Sequence, residues 1–241
     1  MRDSVPEVQD GLRKRFPRTI ERLLPSIAFD TDGGMPRVEQ VALFEFQDAE
    51  QKSGITLAES FLAFHTTAYH TYEDFEADFL ALTEQIHAVV DLGLLERCGL
   101  RYVDAISLRD GESLSQYVRP EMLGLDPKNI GNVVNSTSES VFRGTSDVGT
   151  LVVRFAQLAN VVDDAKFFPA DLQPVSLKYV HREGERLAGA LDFDHFSTTS
   201  IPFEPKEAMQ KLGTLHDAID RAFRSSVLPA AFDLWEAENL A

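Results

Sequence analysis

The sequence predicts an α+β protein of two similar halves, each an antiparallel sheet with one long amphipathic helix packed on it. Three observations carry this. Tyr72, Phe75, Phe79, Leu82, Ile86 and Val89 fall at steps of three and four, as do Met209, Leu212, Leu215, Ile219 and Phe223. Such a stripe is what a helix lying on a sheet requires. Alternating runs bounded by turn residues precede each stripe, the pattern of strands joined by hairpins. The order of strands followed by a long helix occurs twice, without residue-level identity between the halves, and favours layered α+β units. The halves are expected at residues 1–110 and 139–241, joined by a connecting segment at 111–138 and packed as one globular unit.

The elements follow in chain order. Val8, Leu12, Phe16, Ile20 and Leu23 have helical spacing interrupted by Pro17, so two short helices are expected to meet there, with Pro25 ending the second. Asp30-Thr31-Asp32-Gly33-Gly34 is a turn. It lacks the glutamate that a calcium loop carries at its twelfth position. Residues 38–48 and 54–67 read as strands, and 49–54 as the hairpin turn between them. Thr71 opens the first long helix and Gly93 is expected to close it as a C-terminal cap. Residues 94–108 form a central strand, with Leu100, Tyr102, Asp104 and Ile106 on one face and Arg101, Val103 and Ala105 on the other.

From Asp110 to Ser138 no strand pattern appears, and 114–123 has the look of a short helix. Loops this long inside a compact domain are commonly functional. Residues 140–144, 150–158, 175–181 and 187–193 are further strands, with a hairpin turn at 182–185. Pro205 suits the first turn of the second long helix, Leu228-Pro229 breaks it, and a last short helix carries Phe232 and Trp235.

A chain of 241 residues, 44% apolar, buries enough surface to fold without a disulfide or structural metal. Its single cysteine, Cys98, cannot form an internal bridge, which points to a reducing compartment, the cytoplasm. The first residues start no signal-peptide apolar run, and no stretch approaches the roughly 18 apolar residues of a membrane span. Asp and Glu number 39 against 23 Lys and Arg, a net charge of −16. A surface of that sign repels phosphate backbones, so nucleic acid is disfavoured as an unaided partner and a basic protein partner is favoured. A homo-oligomer is also compatible with this composition.

No phosphate-binding loop, dinucleotide fingerprint, nucleophile elbow, His-Glu-x-x-His or cysteine pair occurs, so no cofactor is expected and binding gains over catalysis. The best constellation for chemistry is Asp192, Asp194 and His195, with His181 on the preceding strand. Carboxylates and imidazoles together can hold a divalent metal. The competing reading is the polar side of a half-buried strand. Arg97 and Arg101 are candidate binding residues, although cations between apolar neighbours commonly pair with carboxylates. His216, inside the second long helix, is a third candidate, set against a packed, hydrogen-bonded role. His65 and His70 do not share a face, so they make no metal pair.

In order, Tyr69 to Phe75, Gly99-Leu100-Arg101-Tyr102-Val103-Asp104-Ala105-Ile106, Leu191-Asp192-Phe193-Asp194, and Leu215-His216-Asp217-Ala218-Ile219 with Phe223 resemble a sporadically distributed family of bacterial proteins of unknown function. The similarity spans nearly the whole chain. The family's patchy spread, like that of mobile-element and defence genes, implies an antitoxin, immunity or antiphage-defence role, with no catalytic residues to carry over. Its members begin with a strand ahead of the first helix. Only Arg2 to Val8 precedes that helix here, so that strand is expected to be missing from the sheet edge.

The first expectation is thus a non-enzymatic protein-interaction component. The alternatives are a metal-dependent hydrolase or nuclease using Asp192, Asp194 and His195, and an RNA-binding module of tandem ferredoxin-like sheets, which the charge opposes.

Overall fold

A computed structural model describes residues 2–28, 37–125, 129–131, 135–144, 149–158 and 186–239. The chain divides into two compact units, the first running through Leu92 and the second beginning at Gly93.

The first unit opens with helix α1 (Val5–Leu12) and continues through strands β1 (Arg18–Ala28), β2 (Arg37–Gln47), β3 (Ser53–Ala58) and β4 (Leu62–Thr66) to helix α2 (Tyr72–Val90). The strands form an antiparallel meander in the order β1-β2-β3-β4. Alternation along β2 decides which side is the core. Phe44 and Phe46, with Ile55 and Leu57 of β3, meet Val5, Val8 and Leu12 of α1 and Leu82 and Ile86 of α2. Each such side chain contributes about 1.5–3 kcal/mol by leaving water. The Thr71 hydroxyl accepts the Asp74 N–H at 3.1 Å and caps α2. Asp91 at φ 51°, not Gly93, ends that helix, its N–H returning to the His87 carbonyl. Aspartate tolerates this left-handed conformation.

The N-terminal segment departs from the sequence expectation. The second short helix is strand β1. Ile20 and Leu23 fit a helical step, but residues 18–28 pair one for one with β2, and a short helix has no such compensation for its ordering cost. Pro25 lacks an N–H and is tolerated because β1 is the outer strand of the described sheet. The sheet edge is thus filled by a strand that follows α1 instead of preceding it. The run 54–67 is also two strands, turned where Ala58 N–H donates to Phe61 O at 2.9 Å. The turn between β2 and β3 is held by Asp48, whose carboxylate accepts from Lys52 N at 2.9 Å and Ser53 N at 2.8 Å. The expected turn at 30–34, the strand at 175–181 and the hairpin at 182–185 lie outside the described residues.

The second unit contains β5 (Leu94–Leu108), a 3-10 turn at Leu114–Gln116, α3 (Pro120–Leu123), β6 (Asn135–Arg143), β7 (Thr150–Leu158), β8 (Arg186–Pro202), α4 (Pro205–Ser226) and α5 (Pro229–Asn239). Its sheet runs β5-β8-β7-β6, antiparallel throughout. The protein is therefore α+β with two similar halves, each a four-stranded antiparallel sheet carrying a long helix. The division differs from the expected one at residue 110. β5 pairs along its length with β8, so it and the segment 111–138 belong to the second unit. Neither described sheet has a helical crossover between parallel strands, which the split βαβ of a ferredoxin-like module requires.

α4 lies on the face of the sheet formed by Leu100, Tyr102, Leu191 and Phe193. Its stripe Met209, Leu212, Leu215 and Ile219 is buried, and Phe223 meets Phe193 edge-on, ring centroids 5.9 Å apart. The corner between α4 and α5 is pinned by Arg119 N–H to Ser226 O and Leu228 N–H to Tyr117 O. Gly149 marks a close approach. At φ 78°, a Cβ there would stand 2.1 Å from the Phe196 carbonyl oxygen, so only glycine fits. Among the described residues no helix is long and apolar enough to cross a membrane.

Ile55 is fully buried in the first core. Ile55→Ala is expected to lower unfolding free energy by about 2–5 kcal/mol, and Ile55→Val by about 1 kcal/mol, read from urea denaturation. Equal losses would show that the site collapses around the cavity.

Candidate functional site

The second sheet has two chemically distinct faces, set by the alternation along β8. Leu191, Phe193 and His195 point toward α4. Asp192 and Asp194 point away, joined by Arg101 of β5 and Arg154 of β7, which the register places on that side. Arg101 donates to Asp192 twice, Nε to Oδ1 and Nη2 to Oδ2, both at 2.7 Å. This fork-to-fork geometry is the strongest form of ion pair. Arg154 Nη1 donates to Asp192 Oδ2 at 3.2 Å, and its Nε to Glu139 Oε2 on β6 at 2.6 Å. A chain of alternating charge, Glu139–Arg154–Asp192–Arg101, thus crosses all four strands. The Asp192 side chain is 6% exposed and that of Arg101 16%, so both charges are largely out of water. Asp194 lies 4.0 Å from Arg97, whose guanidinium rests 4.5 Å above the Phe196 ring.

This arrangement separates His195 from the two carboxylates of the metal-site alternative. His195 faces α4, where its Nδ1–H donates to the Leu215 carbonyl at 3.1 Å. It therefore sits across the sheet from the two carboxylates. Both Asp192 oxygens are taken by guanidinium groups. Among the described residues no group of three His, Cys, Asp or Glu is placed to hold a metal. His181 lies outside the described residues. Of the binding candidates, Arg101 and Arg97 do share the charged face, paired with carboxylates as their apolar flanks imply. His216 does not join them. Its Nδ1 is 3.2 Å from the Tyr102 hydroxyl, on the seam between α4 and β5.

Two further groups sit on the helix side of β5. Burial pushes the Cys98 thiol up to about 11, and its Sγ–H points to the Ala208 carbonyl at 3.8 Å. A thiol so rarely ionised is a poor nucleophile. Asp104, paired in register with Leu191, is pushed up to about 6 by burial.

No protein-family model, curated protein or solved structure matches this chain.

Sequence reasoning missed two features of the first unit. On the sheet face opposite the core, Glu45, Gln47 and Thr56 are buried. Arg22 Nε stands 2.9 Å from Glu45 Oε1, and Gln47 Nε2 donates to Glu45 Oε2 at 3.1 Å. Burial raises the Glu45 carboxyl despite Arg22. Neither ring nitrogen of His65 has a hydrogen-bond partner, and burial lowers that imidazole to about 4. Alternation signals this row: Leu43-Phe44-Glu45-Phe46-Gln47 sets polar residues against the apolar face.

The second feature is α2. It carries Glu73, Asp74, Glu76, Asp78 and Glu84 and no Lys or Arg. Glu73 and Asp74 favour the helix N-terminus. Arg15 reaches Asp78 with both terminal nitrogens.

Asp192→Asn is expected to cost about 2–4 kcal/mol in urea denaturation, since two arginines lose their anionic acceptor. Millimolar Mn²⁺ should leave the melting temperature of the unaltered protein unchanged. Asp104 gives the pH dependence. The unfolded chain releases that proton near 3.9 and the folded chain near 6. The folded state therefore binds more protons between these values, so stability falls as pH rises through the window. Asp104→Asn is expected to gain up to about 3 kcal/mol over the unaltered protein at pH 8 and almost nothing at pH 3.5.

Proposed function

We propose that this chain is a non-enzymatic protein-interaction component of the cytoplasm that engages a basic partner through its acidic surface, as an antitoxin, immunity or antiphage-defence subunit. The carrying observation is where the charges lie. In the second unit Asp192 is neutralised inside the sheet by Arg101 and Arg154, and Asp194 stands 4.0 Å from Arg97. On α2, five carboxylates stand on one helix with no Lys or Arg, within a chain of net charge −16. Excess charge of one sign steers a complementary partner and excludes like-charged ones. The defence role rests on the ordered motifs that resemble a patchily distributed bacterial family. The cytoplasmic setting rests on the single buried thiol.

Affinity capture from the native host followed by size-exclusion chromatography tests this reading. The expected result is one stoichiometric basic protein whose affinity falls about tenfold or more as salt rises from low to several hundred millimolar. Elution of the chain alone, or a complex indifferent to salt, would count against it.

A further inference from the structure

The geometry points to a specific seat for that partner: the aromatic, acid-rimmed surface where β4 meets α2, which takes a segment carrying arginine side chains. This rests on the reading of α2 as the partner-binding element and adds what the partner must present.

Three phenylalanines form one stack. The Phe64 ring of β4 lies 5.1 Å from Phe75 and 5.9 Å from Phe79 between centroids, and Phe75 and Phe79 are 6.1 Å apart. Tyr69 joins Phe75 at 6.4 Å. The stack lies at the margin of the core: Phe64, Phe75 and Phe79 are half-buried, while Tyr69 is 39% exposed. Aromatic surface left in water at a sheet edge is costly for a monomer and useful to a complex. The rim is acidic. Glu76 stands one turn before Phe79, and Asp78 almost one turn after Phe75, on a helix without cations.

Charge and π-surface together select the occupant. An anionic membrane or nucleic acid would be repelled. With Asp78 already paired to Arg15, a neutral apolar segment would leave Glu76 to be desolvated without a counter-charge. A guanidinium satisfies both, stacking flat on a ring while its edge donates to a carboxylate, which the compact, strongly hydrated ammonium of lysine does less well. The chain already displays the chemistry once. Arg15 places its guanidinium 5.2 Å from the Phe16 centroid and 5.8 Å from that of Phe64 while donating to Asp78 at 2.9 Å.

The test is titration calorimetry of the full chain with a short alternating Arg-Leu peptide, its Lys-Leu counterpart and its citrulline-Leu counterpart. Phe75→Leu keeps apolar volume but removes the ring face, and Glu76→Gln removes one rim charge. Thermal melts confirm that both variants fold. The expected order is arginine over lysine over citrulline, with Phe75→Leu weakening the arginine peptide about tenfold and Glu76→Gln about threefold. Equal binding of the arginine and citrulline peptides would overturn the inference. So would indifference to Phe75→Leu. If a native partner is retained by the Phe75→Leu protein, the interaction role survives and this surface is not its seat. If neither partner nor peptide binds, both readings fall.

Discussion

The Asp192 carboxylate, gripped by Arg101 from one neighbouring strand and by Arg154 from the other, is the constraint on which the second unit depends. Strand pairing alone does not choose a register, because backbone hydrogen bonds form equally well after a shift. Side chains alternate with a period of two, so a slip of one residue exchanges the two faces of a strand. Here that exchange would drive Asp192 and Asp194 under α4 and expel Leu191 and Phe193. A slip of β8 by two would preserve the faces but move Asp192 away from Arg101 and Arg154. The chain of charges therefore fixes what the apolar face leaves open. A buried ion network is an uncertain source of net stability, because desolvation offsets attraction. Its better-founded contribution is the penalty it places on every wrong pairing.

The two units handle charge in opposite ways. In the second, cations and anions alternate across the sheet, and the catalytic-looking residues prove to be cross-strand partners. His195 serves the other face, tying β8 to the backbone of α4. In the first, a buried row around Glu45 and Arg22 uses the same pairing, while on the carboxylate-rich α2 Arg15 is drawn in toward Asp78 and the phenylalanines. Glu73, Asp74 and Glu84 of that helix are exposed, so most of its charge is solvated and costs the fold little.

How much of this was legible in the sequence depends on whether the deciding force was local. β5, β7 and α4 could be read to the residue, since alternation, glycine and proline punctuation, and a regular apolar stripe all agree there. β1 could not. Val8, Leu12, Phe16, Ile20 and Leu23 satisfy a helical step, and only pairing with β2 shows that the last two belong to a strand. β5 was located correctly but assigned to the wrong half, because its partner β8 begins 78 residues after β5 ends. Separation along the chain also hid Arg154, 38 residues from Asp192, and with it Glu139 from the candidate site. His195 was different. Its odd position beside Asp192 and Asp194 already placed it across the strand, so the grouping contradicted the parity used to align the two acids.

A double-mutant cycle between Arg101 and Asp192 tests this account most directly. Unfolding free energies of the unaltered chain, Arg101→Gln, Asp192→Asn and the double variant would give the coupling between the two side chains. The account predicts a coupling of about 1–3 kcal/mol, with the double variant little worse than either single one. Strict additivity would contradict it, because Asp192 would then be free of Arg101 and available for other chemistry.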